Sequence, residues 1–185
     1  MRAWILTGLA LAVAGCGGLE KRMLATDAKR PVDGAVALIE VPDMEIIVKS
    51  YEGSLEEAGE RLAEMLEDLR TRGLEPSNYR GALVEGADEE EFDPEHARIV
   101  LFVGLPGRKS EARAPYETRR LPGGAAAVMT HVGPYDDIWD RRDLLLSWLR
   151  SKGYGVAGPL REIYLRGFGR EEDRIVELQW PVRKR

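Results

Sequence analysis

The chain has 185 residues, enough for one domain with a sizeable core or for two small halves in close contact. Its 27 basic and 32 acidic side chains give a net charge of −5, which excludes the dominant basic surface of a nucleic-acid binder. A single cysteine allows no disulfide within the chain, so the fold must rest on its core.

The chain opens "MRAWILTGLALAVAGCGG", a basic Arg2 followed by an apolar run from Ala3 to Ala14. That run falls short of the ~20 apolar residues needed to span a bilayer, so residues 1–15 read as a secretion signal. Small residues ending in Val13-Ala14-Gly15 before Cys16 resemble the bacterial lipobox, in which the cysteine is acylated and becomes the mature N-terminus. The expectation is a lipid anchor at Cys16 and attachment to the cell envelope. Gly17 in the next position is compatible with onward sorting to an outer membrane facing the periplasm. Residues 16–34 are polar and aperiodic and read as a tether.

The domain expected over 35–185 is an internal repeat. "EVPDMEIIVKSYEGSLEEAGERLAEMLEDLRTRGL" aligns with "RLPGGAAAVMTHVGPYDDIWDRRDLLLSWLRSKGY", matching Pro42 with Pro122, Val48 with Val128, Gly53 with Gly133 and Gly73 with Gly153. In the first copy Ser54 and Glu57 predict a capping box, and Ala58, Leu62, Met65, Leu66 and Leu69 form an apolar helical stripe. In the second copy Pro134 suits a helix start, and Ile138, Leu145, Leu146 and Leu149 continue the stripe. Gly73 and Gly153 end the two helices. Two strands follow each helix: "YRGALVEG" and "ARIVLFVG", then "LREIYLRG" and "RIVELQWPV". The predicted fold is α+β, a pseudo-twofold duplication of a strand-helix-strand-strand unit. An antiparallel sheet carries helices on one face, with halves at 35–106 and 115–185, a linker at 107–114 and a cleft between the halves.

The last strand contains an acid. Period 2 puts Val176, Leu178 and Trp180 on one face and Ile175, Glu177 and Gln179 on the other. Either that second face is wet, or it lines a cavity where a buried carboxylate awaits a cationic or hydrogen-bonding guest.

The turn "HVGPY" before the second helix, "GYGVAGPLREIY" after it and "IVELQWPV" at the end resemble the GyrI-like family, strongly over 115–182 and more weakly over 35–106. This is the small-molecule-binding module also found as the effector-binding domain of AraC-type regulators. The resemblance implies a pocket between two halves, lined by aromatics, with a glutamate on the last strand facing lipophilic cations. Glu177 matches that position, and its counterpart in the first half is read as Leu101. Tyr135, Tyr164 and Trp180 are the aromatics the resemblance places near the pocket, although alternation puts Trp180 opposite Glu177. Trp139 and Trp148 read as core.

Ring faces together with one carboxylate suit a delocalised cation. The expected activity is binding of small lipophilic, cationic molecules by a membrane-anchored protein, ranked ahead of catalysis, with no cofactor, metal or nucleic acid. His131 and His96 lack the spaced partners of a zinc site, and the acidic stretch "EGADEEEFDPEH" reads as a solvated hairpin. Two alternatives stand beside binding. Some stand-alone members resemble hydrolases of strained electrophiles, for which Glu177, Tyr164 and Tyr135 would supply a base and acids. The SOUL haem-binding group has a similar pseudo-symmetric fold, in which His131 would be an axial ligand.

Overall fold

The computed structural model describes residues 34–105, 114–166 and 174–185. The signal, Cys16 and nearly all of the tether and linker lie outside them.

Each half begins with two consecutive strands rather than one, and the two do not pair with each other. In the first, β1 (Val36–Val41) and β2 (Met44–Gly53) precede a 3-10 turn (Leu55–Glu57) and helix α1 (Ala58–Thr71), after which β3 (Arg80–Val84) and β4 (Ala97–Gly104) follow. In the second, β5 (Glu117–Leu121) and β6 (Gly124–Val132) lead through a 3-10 turn (Tyr135–Asp137) into α2 (Ile138–Ser151), then β7 (Tyr154–Val156), β8 (Leu160–Arg166) and β9 (Ile175–Lys184). The sequence pattern anticipates neither β1, β5 nor β7. In β5 four of five residues are exposed, so no apolar alternation marks it as a strand.

All strand pairs are antiparallel, in the order β1-β6-β9-β8-β3-β4-β2-β5, with β7 paired to the end of β9. The first strand of each half pairs within the other: β1 lies on β6, and β5 lies on β2. The two halves meet again at the centre, where β3 pairs with β8. There Gly81 lies so close to the neighbouring strand that a Cβ would stand 1.7 Å from the Glu162 carbonyl oxygen.

The helical stripes behave as their spacing predicts. Ala58, Leu62, Met65, Leu66 and Leu69 of α1 are buried, as are Ile138, Leu145, Leu146 and Leu149 of α2, and all pack on one face of the sheet. Each large side chain buried there contributes about 1.5–3 kcal/mol. Helix α1 stops because Gly73, at φ 75°, lets its N–H reach Arg70 O and the N–H of Leu74 reach Leu69 O. At its start Ser54 Oγ accepts from the Glu56 N–H and caps the 3-10 turn. Glu57 does not reach back to complete a capping box; it accepts from Arg61 one turn on.

The face turned away from the helices is buried too. The sheet curls, and Met44, Ile46, Val48, Val100, Phe102, Leu121 and Ile163 form a second apolar cluster on that face. The acidic stretch is the β3–β4 hairpin connection. It is held to the other half by the Arg142 guanidinium, which donates to Ala87 O at 2.6 Å and Glu89 O at 2.8 Å, and by Phe92 packed on Trp139 at 5.3 Å.

Candidate functional site

Cross-strand register assigns every side chain of β8 and β9 to a face. Glu162 opposes Leu178 and Tyr164 opposes Val176, partners that belong to the helix-covered core. Arg161 opposes Gln179, and Ile163 opposes Glu177, on the other face. The tyrosines therefore meet a carboxylate other than Glu177. Tyr135, from the turn before α2, donates its hydroxyl to Glu162 Oε2 at 2.9 Å, and Tyr164 donates to the same oxygen at 3.0 Å.

Glu162 has no exposure at all, and its Oε1 has no hydrogen-bond partner among the described residues. Burial pushes its carboxyl up to about 7, against the two hydroxyl donors and the Arg174 charge, which all favour the ionised form. Burial and the neighbouring Glu162 push both tyrosine hydroxyls well above their usual value. They therefore stay protonated and act as donors.

Beside this group lies a narrow pocket with about 30 Å³ of room, about 340 Å³ when the part open to solvent is counted, lined by Leu55, Glu56, Gly59, Tyr135, Tyr164, Arg166 and Arg174. It lies between the halves, where the two 3-10 turns lead into their helices. The Arg174 guanidinium stands 5.2 Å from the centre of the Tyr135 ring, so a cation already covers one aromatic face at the mouth.

The repeat makes this site one-sided. At the same offset that relates Pro42 to Pro122, Tyr135 corresponds to Leu55, Glu162 to Ala82 and Tyr164 to Val84. The first half has apolar side chains where the second has the hydrogen-bonded three. The first half builds the corresponding turn and strand without this polar group.

The other anticipated residues lie elsewhere. Glu177 is buried on the opposite face, where its Oε1 accepts from Gln179 Nε2 at 2.6 Å and Gln179 Oε1 accepts from the Tyr79 hydroxyl at 3.2 Å. Register also corrects its counterpart. Val48 opposes Phe102 while the matching Val128 opposes Gln179, so Leu101 corresponds to Leu178 and Glu177 to Val100. Trp180 is wholly buried in the helix-side core and does not line the pocket. His131 is buried, and its Nε2 donates to Pro134 O at 2.7 Å within the turn that positions Tyr135. His96 is exposed beside Asp93, and among the described residues no three His, Cys, Asp or Glu side chains converge as a metal would need. No described helix is long and apolar enough to cross a membrane. Glu162, Arg166 and Arg174 are the functional candidates that the sequence argument missed. The period-2 reading of "LREIYLR", which aligns Glu162 with Tyr164, was the available signal.

Residues 35–183 match the GyrI-like small molecule binding domain. The chain belongs to this family. Among solved structures, the EcmrR C-terminal domain is similar with a TM-score of 0.71 at 19% identity, over 82% of this chain and 98% of that one. A hydrolase from Listeria innocua is similar at 0.61 and 14% identity, over 90% and 98%. SAV2435, solved bound to tetraphenylphosphonium, is similar at 0.50 and 17% identity, over 80% and 94%. At such identities the likeness establishes a shared GyrI-like fold. The chain spans 64% of the EcmrR chain in its complex with DNA. No curated protein sequence matches it.

Proposed function

We propose that this GyrI-like domain binds a small lipophilic cation in the pocket beside Glu162, and that a lipid on Cys16 holds it at the cell envelope. The observation that carries the first part is Glu162 itself: a fully buried carboxyl, one oxygen of which has no partner among the described residues, held directly behind the two tyrosines that line the pocket. A delocalised cation entering there meets the tyrosine ring faces, with the Glu162 carboxylate behind them as counter-charge. Arg174 supports this reading, because a cation of the chain itself already lies on Tyr135. That SAV2435 is solved with tetraphenylphosphonium makes this compound a rational first probe.

Titration calorimetry with tetraphenylphosphonium is expected to give saturable binding at one site. Absence of binding by this and by rhodamine-type cations would remove the cationic-ligand reading. In Arg174→Gln the competing charge is gone, so at a pH well above the Glu162 value of about 7, where the carboxyl is ionised in both proteins, affinity for the cation should rise several-fold while the melting temperature stays nearly constant. A fall in affinity would instead make Arg174 a ligand contact.

Hydrolysis is a second reading, favoured by a carboxyl held at about 7 next to two protonated hydroxyls, a suitable arrangement for proton transfer. Turnover of reactive esters or cyclopropanes that disappears in Glu162→Gln would replace binding by catalysis. The anchor is tested separately. Cys16→Ser should abolish incorporation of a fatty-acid label and release the protein from membranes, whereas unchanged, label-free membrane association would rule the lipid out.

A further inference from the structure

Arg161 and Glu162 are consecutive on β8 and so face opposite sides of the sheet. Arg161 is only 4% exposed, an uncommon position for a guanidinium, and burial lowers its affinity for the proton. Its Nη2 donates to Pro122 O at 2.8 Å, and the Tyr79 hydroxyl is close enough to act on its charge. Its Nε is buried without a hydrogen-bond partner among the described residues, and no carboxylate is among the groups acting on its charge. The nearest acid in the same buried chain, Glu177, is separated from it by Gln179 and Tyr79.

A buried cation with an unmade hydrogen bond and no counter-ion among the described residues is costly, and an external partner would relieve that cost. The space for a partner is adjacent. Arg161 lines a pocket of about 540 Å³, counting the part open to solvent, between the β5–β6 turn, the β7–β8 loop and β9. Its walls include Leu121, Gly124, Pro159 and Pro181. Gly124 has nothing within 4 Å of where its Cβ would stand, so that wall remains open. Asp43, the acid at the neighbouring turn, is engaged by Arg120 at 2.6 Å and by the Gly123 N–H at 2.8 Å.

We propose that this pocket is a second ligand site, specific for small carboxylates, with Arg161 as the anion anchor and the leucine and prolines as the bed for the hydrocarbon part. The fork of a guanidinium matches a carboxylate in geometry and charge, and the apolar walls select an acid with an organic tail over a compact, strongly hydrated anion. The site is independent of the pocket at Glu162 and does not rest on its assignment.

The test is titration of the full chain with benzoate and, separately, with inorganic phosphate, read by calorimetry and by the melting temperature. Benzoate should bind saturably and raise the melting temperature, and phosphate should not. In Arg161→Gln benzoate affinity should fall at least tenfold. Ala157→Phe, a substitution at the exposed rim that leaves the bonds of Arg161 in place, should weaken benzoate binding too and serves as the deciding variant if Arg161→Gln does not fold. The proposal is overturned by the absence of saturable benzoate binding, by unchanged affinity in Arg161→Gln, by unchanged affinity in a folded Ala157→Phe, or by phosphate binding more tightly than benzoate.

Discussion

Glu162→Gln is expected to lower the affinity for a lipophilic cation about 10- to 100-fold, the loss of one charge-assisted contact worth about 1.5–3 kcal/mol. The shape of the pocket is kept, because the amide oxygen still accepts from Tyr135 and Tyr164. The same substitution separates charge from shape through its pH dependence. In the wild type the carboxyl is held at about 7, so cation affinity should rise as pH is raised through that value, while in Glu162→Gln it should stay flat. Stability should move the other way. The folded-state pKa lies above the reference value of 4.5, so between about 4.5 and 7 the folded protein holds a proton that the unfolded chain has lost. Stability contributed by that proton is fully present below 4.5 and is lost as pH rises through 7, a difference of about 3 kcal/mol at most. Glu162→Gln lacks this loss. Melting curves at pH 5 and pH 8 should therefore show a decline in the wild type that is reduced in the variant. Equal cation affinity in the two proteins would defeat the assignment of Glu162 as the counter-charge.

The second large effect is structural. Gly81→Ala should destabilise the protein by about 3 kcal/mol or more, because its methyl carbon would stand 1.7 Å from the Glu162 carbonyl oxygen and the obstacle is backbone rather than a movable side chain. Relief requires β3 and β8 to part at the strand pair that joins the two halves. The displaced residue is also the one that carries the pocket carboxyl, so any folded Gly81→Ala protein should bind cations more weakly. A melting temperature within a few degrees of wild type would show that the strands can separate there without penalty.

How much of this could be read from the sequence depended on where each side chain finds its partner. The stripes of α1 and α2 are local patterns of a 3.6-residue period, and the side chains they single out are the buried ones. Strand β5, "ETRRL", buries only Leu121 and pairs with β2, far away in the sequence, so nothing local announces it. Tyr135 and Tyr164 do come together, across 29 positions, because the turn at Pro134 brings the first onto the face where alternation puts the second. Glu162 was overlooked for a different reason. It stands between Arg161 and Ile163 in a stretch where polar and apolar side chains are mixed, whereas the acid in "IVELQW" is conspicuous among apolar neighbours. Alternation already put Glu177 opposite Val176, Leu178 and Trp180; which of those two faces the tyrosines share was settled by register across β8 and β9. The one-residue slip between Leu101 and Val100 as counterparts of Glu177 has the same origin, since a shift of one position exchanges the faces of a strand.

The crossed placement of β1 and β5 bears on how a molecule like this could have arisen. Neither half holds within its own residues the strand that lies on the outer side of its long second strand: β6 is covered by β1, and β2 by β5. A gene encoding a single copy of the repeat would leave that position unfilled in an isolated chain. The missing strand would be available from a second, identical molecule, and reciprocal donation would produce a two-chain assembly with swapped N-terminal segments. Tandem fusion converts that encounter into an internal one, at an effective concentration set by the connecting segment rather than by the abundance of the protein. It also frees the two copies to diverge. A symmetric pair of chains must carry any acid twice, whereas the fused chain keeps Glu162 in one copy and Ala82 in the other.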